Sequence, residues 1–178
     1  MRYVRIPLER VAVLIGKNGQ TRKKLEGYTR IALDINSEAG EVTFNDQTVE
    51  DPLAIFKVEN IIRAIGRGFS PEHAFLLLSD DIDFFVFDIR DYVGNKPSHI
   101  QRLKSRVIGT DGKTKRVIEQ LTSSKISIYG HTIAIICDIT DIDITKKAID
   151  KILSGNKHAN VYRFVESNMK KLRLEQGF

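Results

Sequence analysis

The sequence is poor in the residues that most chemistry needs. It holds one cysteine, Cys137, which excludes an internal disulfide. That cysteine follows the apolar run Ile133-Ala134-Ile135-Ile136 and reads as a core residue. A reducing, cytoplasmic setting is the expectation. No apolar run approaches the roughly 18 residues that a membrane-spanning helix requires, so no membrane partner is expected. The first residues, Met1 to Pro7, lack the apolar stretch of a signal peptide. The histidines, His73, His99, His131 and His158, are scattered without metal-ligand spacing, and neither a metal nor a cofactor is expected. No Ser/His/Asp or Cys/His set suggests a nucleophile. The acidic pairs Asp80-Asp81 and Asp141/Asp143 read as a turn and a helix N-terminus, where carboxylates favour the helix dipole. A nuclease or RNA-modifying enzyme therefore finds no residues to carry it, and the expectation is a protein that is not an enzyme.

What the chain does hold is basic charge in two places. Its 178 residues are 42% hydrophobic, enough to bury real cores, and its net charge is only +5. Residues 8–30 carry six basic and two acidic side chains, a net +4, and residues 100–125 carry seven and two, a net +5. Everything else is left at −4. Two short cationic windows in an otherwise acidic chain suit two anion-facing patches.

The same two windows repeat each other. At an offset of 93, Leu14-Ile15-Gly16-Lys17-Asn18-Gly19 falls on Val107-Ile108-Gly109-Thr110-Asp111-Gly112. The match continues without a gap through Leu33-Asp34-Ile35 on Ile126-Ser127-Ile128, which points to duplication. Each copy reads β-α-α-β-β-α. In the first, Tyr3–Ile6 is a strand, Leu8–Ile15 a helix stopped by Gly16, and a second helix starts at Gly19 or Gln20 and runs to Gly27. Strands follow over Arg30–Asn36 and around Val42–Phe44. Asp51 and Pro52 then cap a helix that ends at Gly66 and Gly68. In the second, Ile82–Ile89 is a strand, Ser98–Ile108 and Lys113–Leu121 are helices, Ile126–Ile128 and Thr132–Cys137 are strands, and a helix ends near Gly155. Ser70-Pro71-Glu72 caps a short connecting helix, and residues 159–174 form a terminal helix with an apolar stripe.

A Gly-x-x-Gly that joins two helices has a physical use. Glycine lacks Cβ, so a sugar-phosphate backbone can approach the main chain closely. The second glycine opens a helix whose free N–H groups and dipole favour phosphate. Lys17, Asn18, Arg22 and Lys23 in copy one, and Thr110, Lys113, Lys115 and Arg116 in copy two, stand in or beside the loops. The expected arrangement is the KH clamp, in which the loop grips about four nucleotides of single-stranded RNA. Ile15, Ile31 and Leu33, with Ile108 and Ile126, are the candidates for the apolar wall on which bases would lie. Asp111 is out of place, because a carboxylate inside the clamp repels phosphate. Copy one is electrostatically the better loop.

These features resemble a known family, the tandem-KH pre-ribosomal RNA processing factor of archaea and eukaryotes, which partners the endonuclease that matures the small-subunit rRNA 3′ end. The residues that carry the resemblance are Ala64-Ile65-Gly66-Arg67-Gly68-Phe69-Ser70-Pro71, then Arg106 to Lys115 with Ile118-Glu119, and last Ile152-Leu153-Ser154-Gly155-Asn156 followed by Val161-Tyr162. The resemblance covers essentially the whole chain. It implies an α+β fold of two tandem type I KH domains, each a three-stranded sheet backed by helices. The expected boundaries are 1–68 and 81–155 for the domains, 69–80 for a linker helix, and 156–178 for a C-terminal helix packed on the pair, with both extra helices welding the two into one body. It implies single-stranded small-subunit rRNA, the endonuclease and the pre-small-subunit particle as partners. The intact first loop, and a start directly at the first strand, look like an archaeal member. Alternatives are a sister KH assembly factor, an exosome-cap-like KH subunit, or a protein–protein adaptor with weak RNA binding.

Overall fold

The computed structural model describes residues 2–44 and 51–177. The chain divides into two compact units, Met1–Asp80 and Asp81–Phe178.

In the first unit, β1 (Arg2–Arg5) leads into α1 (Leu8–Ile15) and α2 (Gln20–Thr29), then β2 (Leu33–Asn36), β3 (Glu41–Phe44) and α3 (Pro52–Gly66). The sheet is antiparallel in the order β1-β3-β2, with Val42 opposite both Val4 and Ile35. Strand β3 alternates, burying Val42 and Phe44. Helix α3 starts where Asp51 accepts a hydrogen bond from the Leu53 N–H (2.9 Å) and proline occupies the first turn. Its Val58, Ile61, Ile62 and Ile65 are completely buried, each worth about 1.5–3 kcal/mol over an exposed position. The connecting segment is α4 (Pro71–Ala74) running into a 3₁₀ turn, Phe75–Leu78, that packs on α3. Lys57 holds it there, donating to the Leu78 carbonyl (2.8 Å) and pairing with Asp80 (2.6 Å).

The second unit repeats the order: β4 (Ile82–Asp88), a short α5 (Arg90–Val93), α6 (Pro97–Ile108), α7 (Lys113–Thr122), β5 (Lys125–Tyr129), β6 (Thr132–Asp138) and α8 (Ile142–Leu153). Its sheet order, β4-β6-β5, again inserts the last strand between the first two. Strand β6 is buried from Thr132 to Cys137, on both faces. Its Ile133, Ile135 and Cys137 join one core cluster with Val107, Ile118, Ile126 and Ile149. The terminal helix α9 (His158–Glu175) lays Val161, Val165 and Met169 on α7 and α8 and so completes that core.

Two local expectations need correction. The strand expected from Arg30 begins at Leu33, because Arg30 is the left-handed cap of α2 (φ 57°), its N–H bonded to the Glu26 carbonyl at 2.8 Å. Helix α5 was not expected; the Asp88 carboxylate accepts the Arg90 N–H (2.9 Å) and turns the chain straight out of β4.

Candidate nucleic-acid interface

The two Gly-x-x-Gly loops have nearly the same backbone. Gly16 and Gly109 stand at φ/ψ of 74/172° and 75/175°, Asn18 and Asp111 at 54/28° and 52/30°, and Gly19 and Gly112 at 72/15° and 74/14°. The glycines within one loop differ in why they are needed. A Cβ on Gly16 would lie 2.2 Å from Thr21 Oγ1, and one on Gly109 would lie 2.3 Å from Thr114 Oγ1. The second glycines have open space around them and are held only by their left-handed φ. Helices α2 and α7 start at these loops without a side-chain cap; the Gln20 and Lys113 N–H groups close the turn on the Lys17 and Thr110 carbonyls, and the positive end of each helix dipole lies at the loop.

The scaffold behind each loop is duplicated too. The Leu33 N–H donates to Glu26 Oε1 and the Ile126 N–H to Glu119 Oε1, both at 2.8 Å. Thr29 and Thr122 donate their hydroxyls back to Leu25 and Ile118 carbonyls at 2.7 and 2.8 Å. An arginine ties the helix before each loop to the last helix of its motif. Arg10 donates to the carbonyls of Ile65 and Phe69 (both 2.7 Å), and Arg106 to those of Ile152 (3.2 Å) and Asn156 (2.6 Å).

Around these loops the proposed contact residues separate into groups. Lys17, Asn18, Lys23, Thr110, Asp111, Lys113 and Arg116 are exposed. Arg22 is turned onto Glu26 (3.0 Å) and Lys115 towards Glu119 (3.9 Å), so both charges are partly spent on the scaffold. Ile15 and Ile108 are half-buried at the loop entrances. Ile31, Leu33 and Ile126 belong to the core, at 2%, 2% and 3% exposure, and do not form an open apolar wall. Their spacing put them on one face, and that face points inward.

Sequence reasoning missed a set of residues on the second loop. A groove beside Gly109, Thr110 and Lys113 is also lined by Arg102 and Arg106 of α6 and by His158 and Tyr162 of α9. Tyr162 donates its hydroxyl to Thr114 Oγ1 (3.0 Å), and His158 Nε2 meets the Arg106 carbonyl oxygen at 2.8 Å. These partners are about fifty residues apart in the chain, so no local spacing could reveal them. The only hint was that Tyr162 belongs to the stretch that carried the family resemblance.

The shifted titrations lie away from the loops. The Arg90 guanidinium, hydrogen-bonded to Asp88, holds that carboxyl well below the usual carboxylate range. Burial pushes the Cys137 thiol up to about 11. Among the described residues, no group of three His, Cys, Asp or Glu side chains is placed to hold a metal ion, and no helix is long and apolar enough to cross a membrane.

Comparison with known proteins bears on the same region. Residues 83–170 match the eukaryotic-type KH domain, type I, in the form of the second KH domain of PNO1. A KH domain-containing protein of Methanocaldococcus jannaschii is 42% identical, the match covering 96% of this chain and 74% of that protein. The pre-rRNA-processing protein PNO1 of Saccharomyces cerevisiae is 28% identical, and there the match spans about half of the relative, 53% of its length. A chain in the crystal structure of an a/eIF2α–aDim2p–rRNA complex from Pyrococcus horikoshii OT3 superimposes with a TM-score of 0.87 at 42% identity, covering 96% of this chain and 94% of that one.

Proposed function

The chain belongs to the KH-domain family of the PNO1 and Dim2 pre-rRNA-processing proteins, and on that premise we propose that it is a ribosome-assembly factor that clamps single-stranded small-subunit rRNA near its 3′ end. The observation that carries this reading is the uncapped helix start behind each Gly-x-x-Gly loop, with exposed lysines beside it. A positive dipole end and exposed cations are the chemistry that phosphate asks for. Both units take part: the first has the same element order and the same loop dihedrals as the second, and is read as a KH domain as well. Residues 1–68 and 81–155 are then the two domains, with 69–80 and 156–178 as accessory helices. Lys17, Lys23, Lys113 and Arg116 face phosphates, and Ile15 and Ile108 face the first bases. The protein acts by holding RNA for the 3′-end endonuclease and the pre-small-subunit particle, with no catalysis of its own. The family resemblance supports that assignment of partners.

The test is RNA affinity against salt, using an oligonucleotide of the small-subunit rRNA 3′ end and a scrambled control. The first glycine of each loop has no room for a side chain, so the substitutions belong at the exposed middle positions: K17D with N18D, and T110D. Each lost phosphate contact makes the log–log salt slope shallower by roughly 0.7. Loss of affinity with a shallower slope in either variant supports the clamp. Unchanged binding in both, or equal binding of cognate and scrambled RNA, moves the protein to the adaptor reading.

A further inference from the structure

The groove between the second loop and α9 shares Gly109, Thr110 and Lys113 with the four-nucleotide clamp but continues past it to Arg102, His158 and Tyr162, and its lining is unusual. Three cations, Arg102, Arg106 and Lys113, stand on it, and no carboxylate does. Arg106 is occupied by the two carbonyls at the end of α8. The Arg102 and Lys113 side chains are exposed and make no hydrogen bond or ion pair among the described residues. On the same groove the His158 and Tyr162 rings, 6.4 Å apart and inclined at 40°, supply flat surface. The Tyr162 hydroxyl is anchored on Thr114, so its ring is held in place.

Cationic charge beside a fixed aromatic surface is what a nucleotide recognises: phosphate on the cations, base on the ring. A bare anion would not need the aromatic floor, and an acidic peptide would not need the ring to be fixed. The cations at these positions are also particular to the second copy. At the 93-residue offset Arg102, Arg106 and Lys113 fall on Glu9, Val13 and Gln20, which carry no positive charge.

We propose that this groove binds a nucleotide of the same RNA strand just outside the clamp, its phosphate on Arg102 and its base against Tyr162. This rests on the RNA-clamp reading, and it makes the second loop a longer reader than the first.

The experiment compares a short oligonucleotide that fills only the clamp with versions extended by three nucleotides at the 5′ or the 3′ end. The extension carries 2-aminopurine. The wild type is expected to gain about tenfold in affinity from one of the extensions, the scale of one base stacked on an aromatic side chain. It should also quench the 2-aminopurine. Arg102→Glu should abolish the gain and leave short-oligonucleotide affinity unchanged. Tyr162→Phe should keep the quenching, and Tyr162→Leu should lose it. Tight short-RNA binding with no gain from either extension, or a gain that Arg102→Glu leaves intact, overturns the groove and spares the clamp. Failure of the short RNA to bind at all overturns both.

Discussion

Tyr162 donates its hydroxyl to the oxygen that forbids a side chain at Gly109: Thr114 Oγ1 lies 3.0 Å from the tyrosine oxygen and 2.3 Å from where a Gly109 Cβ would be. The terminal helix thus fixes the atom against which the loop is folded. The Gly109 backbone also lies in a region almost exclusive to glycine, whereas Gly112 needs only a left-handed φ. Gly109→Ala should destabilise the protein by about 3 kcal/mol and Gly112→Ala by about 1–2 kcal/mol. Urea unfolding of the two variants checks the order, and equal losses would refute it.

Asp111 occupies the loop position that Asn18 holds in the first unit, at the same positive φ. Asparagine is at home in that conformation. Asp111→Asn should therefore leave stability unchanged and raise RNA affinity about fivefold at low salt, the scale of one exposed like-charge contact. The gain should fade as salt rises. A titration at two ionic strengths decides it.

Glu119 holds the start of β5 through the Ile126 N–H. Glu119→Ala strands that partly buried donor and should cost about 1–3 kcal/mol, whereas Glu119→Gln keeps an acceptor and should cost less. Glu26→Ala should act in the same way in the first unit, where the Leu33 N–H is the donor. Thermal unfolding of the three variants tests the pattern.

Cys137 gives a pH prediction with a definite sign. Its thiol titrates near 11 in the folded protein, against an ordinary value of 9.0, because burial disfavours the thiolate. The neutral thiol's contribution is complete below about pH 9 and is lost as pH rises towards 11, since only the unfolded chain ionises in that window. The urea midpoint of the wild type should fall relative to Cys137→Ala between pH 9 and 11. Iodoacetamide should label the folded protein at pH 8.5 far more slowly than the unfolded chain.

Much of this architecture was legible because it is local. Helix α1 runs from Leu8 to Ile15, as its apolar spacing and the glycine after it indicate. The Asp51-Pro52 start of α3 is a cap that sequence alone announces. What was hidden depends on contacts across the chain or on which way a face turns. Ile31, Leu33 and Ile126 have the period of a strand face, but period does not distinguish core from groove. Arg30 was read as strand because the cap it forms depends on a φ of 57°, which an arginine does not advertise. His158 and Tyr162 reach the second loop only after α9 has folded back over α7 and α8.

The strand order of the second unit has a consequence for synthesis. Among the described residues strand β4 pairs only with β6, Ile82 opposite Asp138, so its partner is made 56 residues later. At ribosomal speeds of 5–20 residues per second, that is roughly 3–11 seconds. During that interval Phe84, Phe85 and Phe87 leave the exit tunnel with no sheet to join, while α6 and α7 can already form. Protecting a newly made, aromatic edge strand is therefore a task that falls to the cell before the fold can do it.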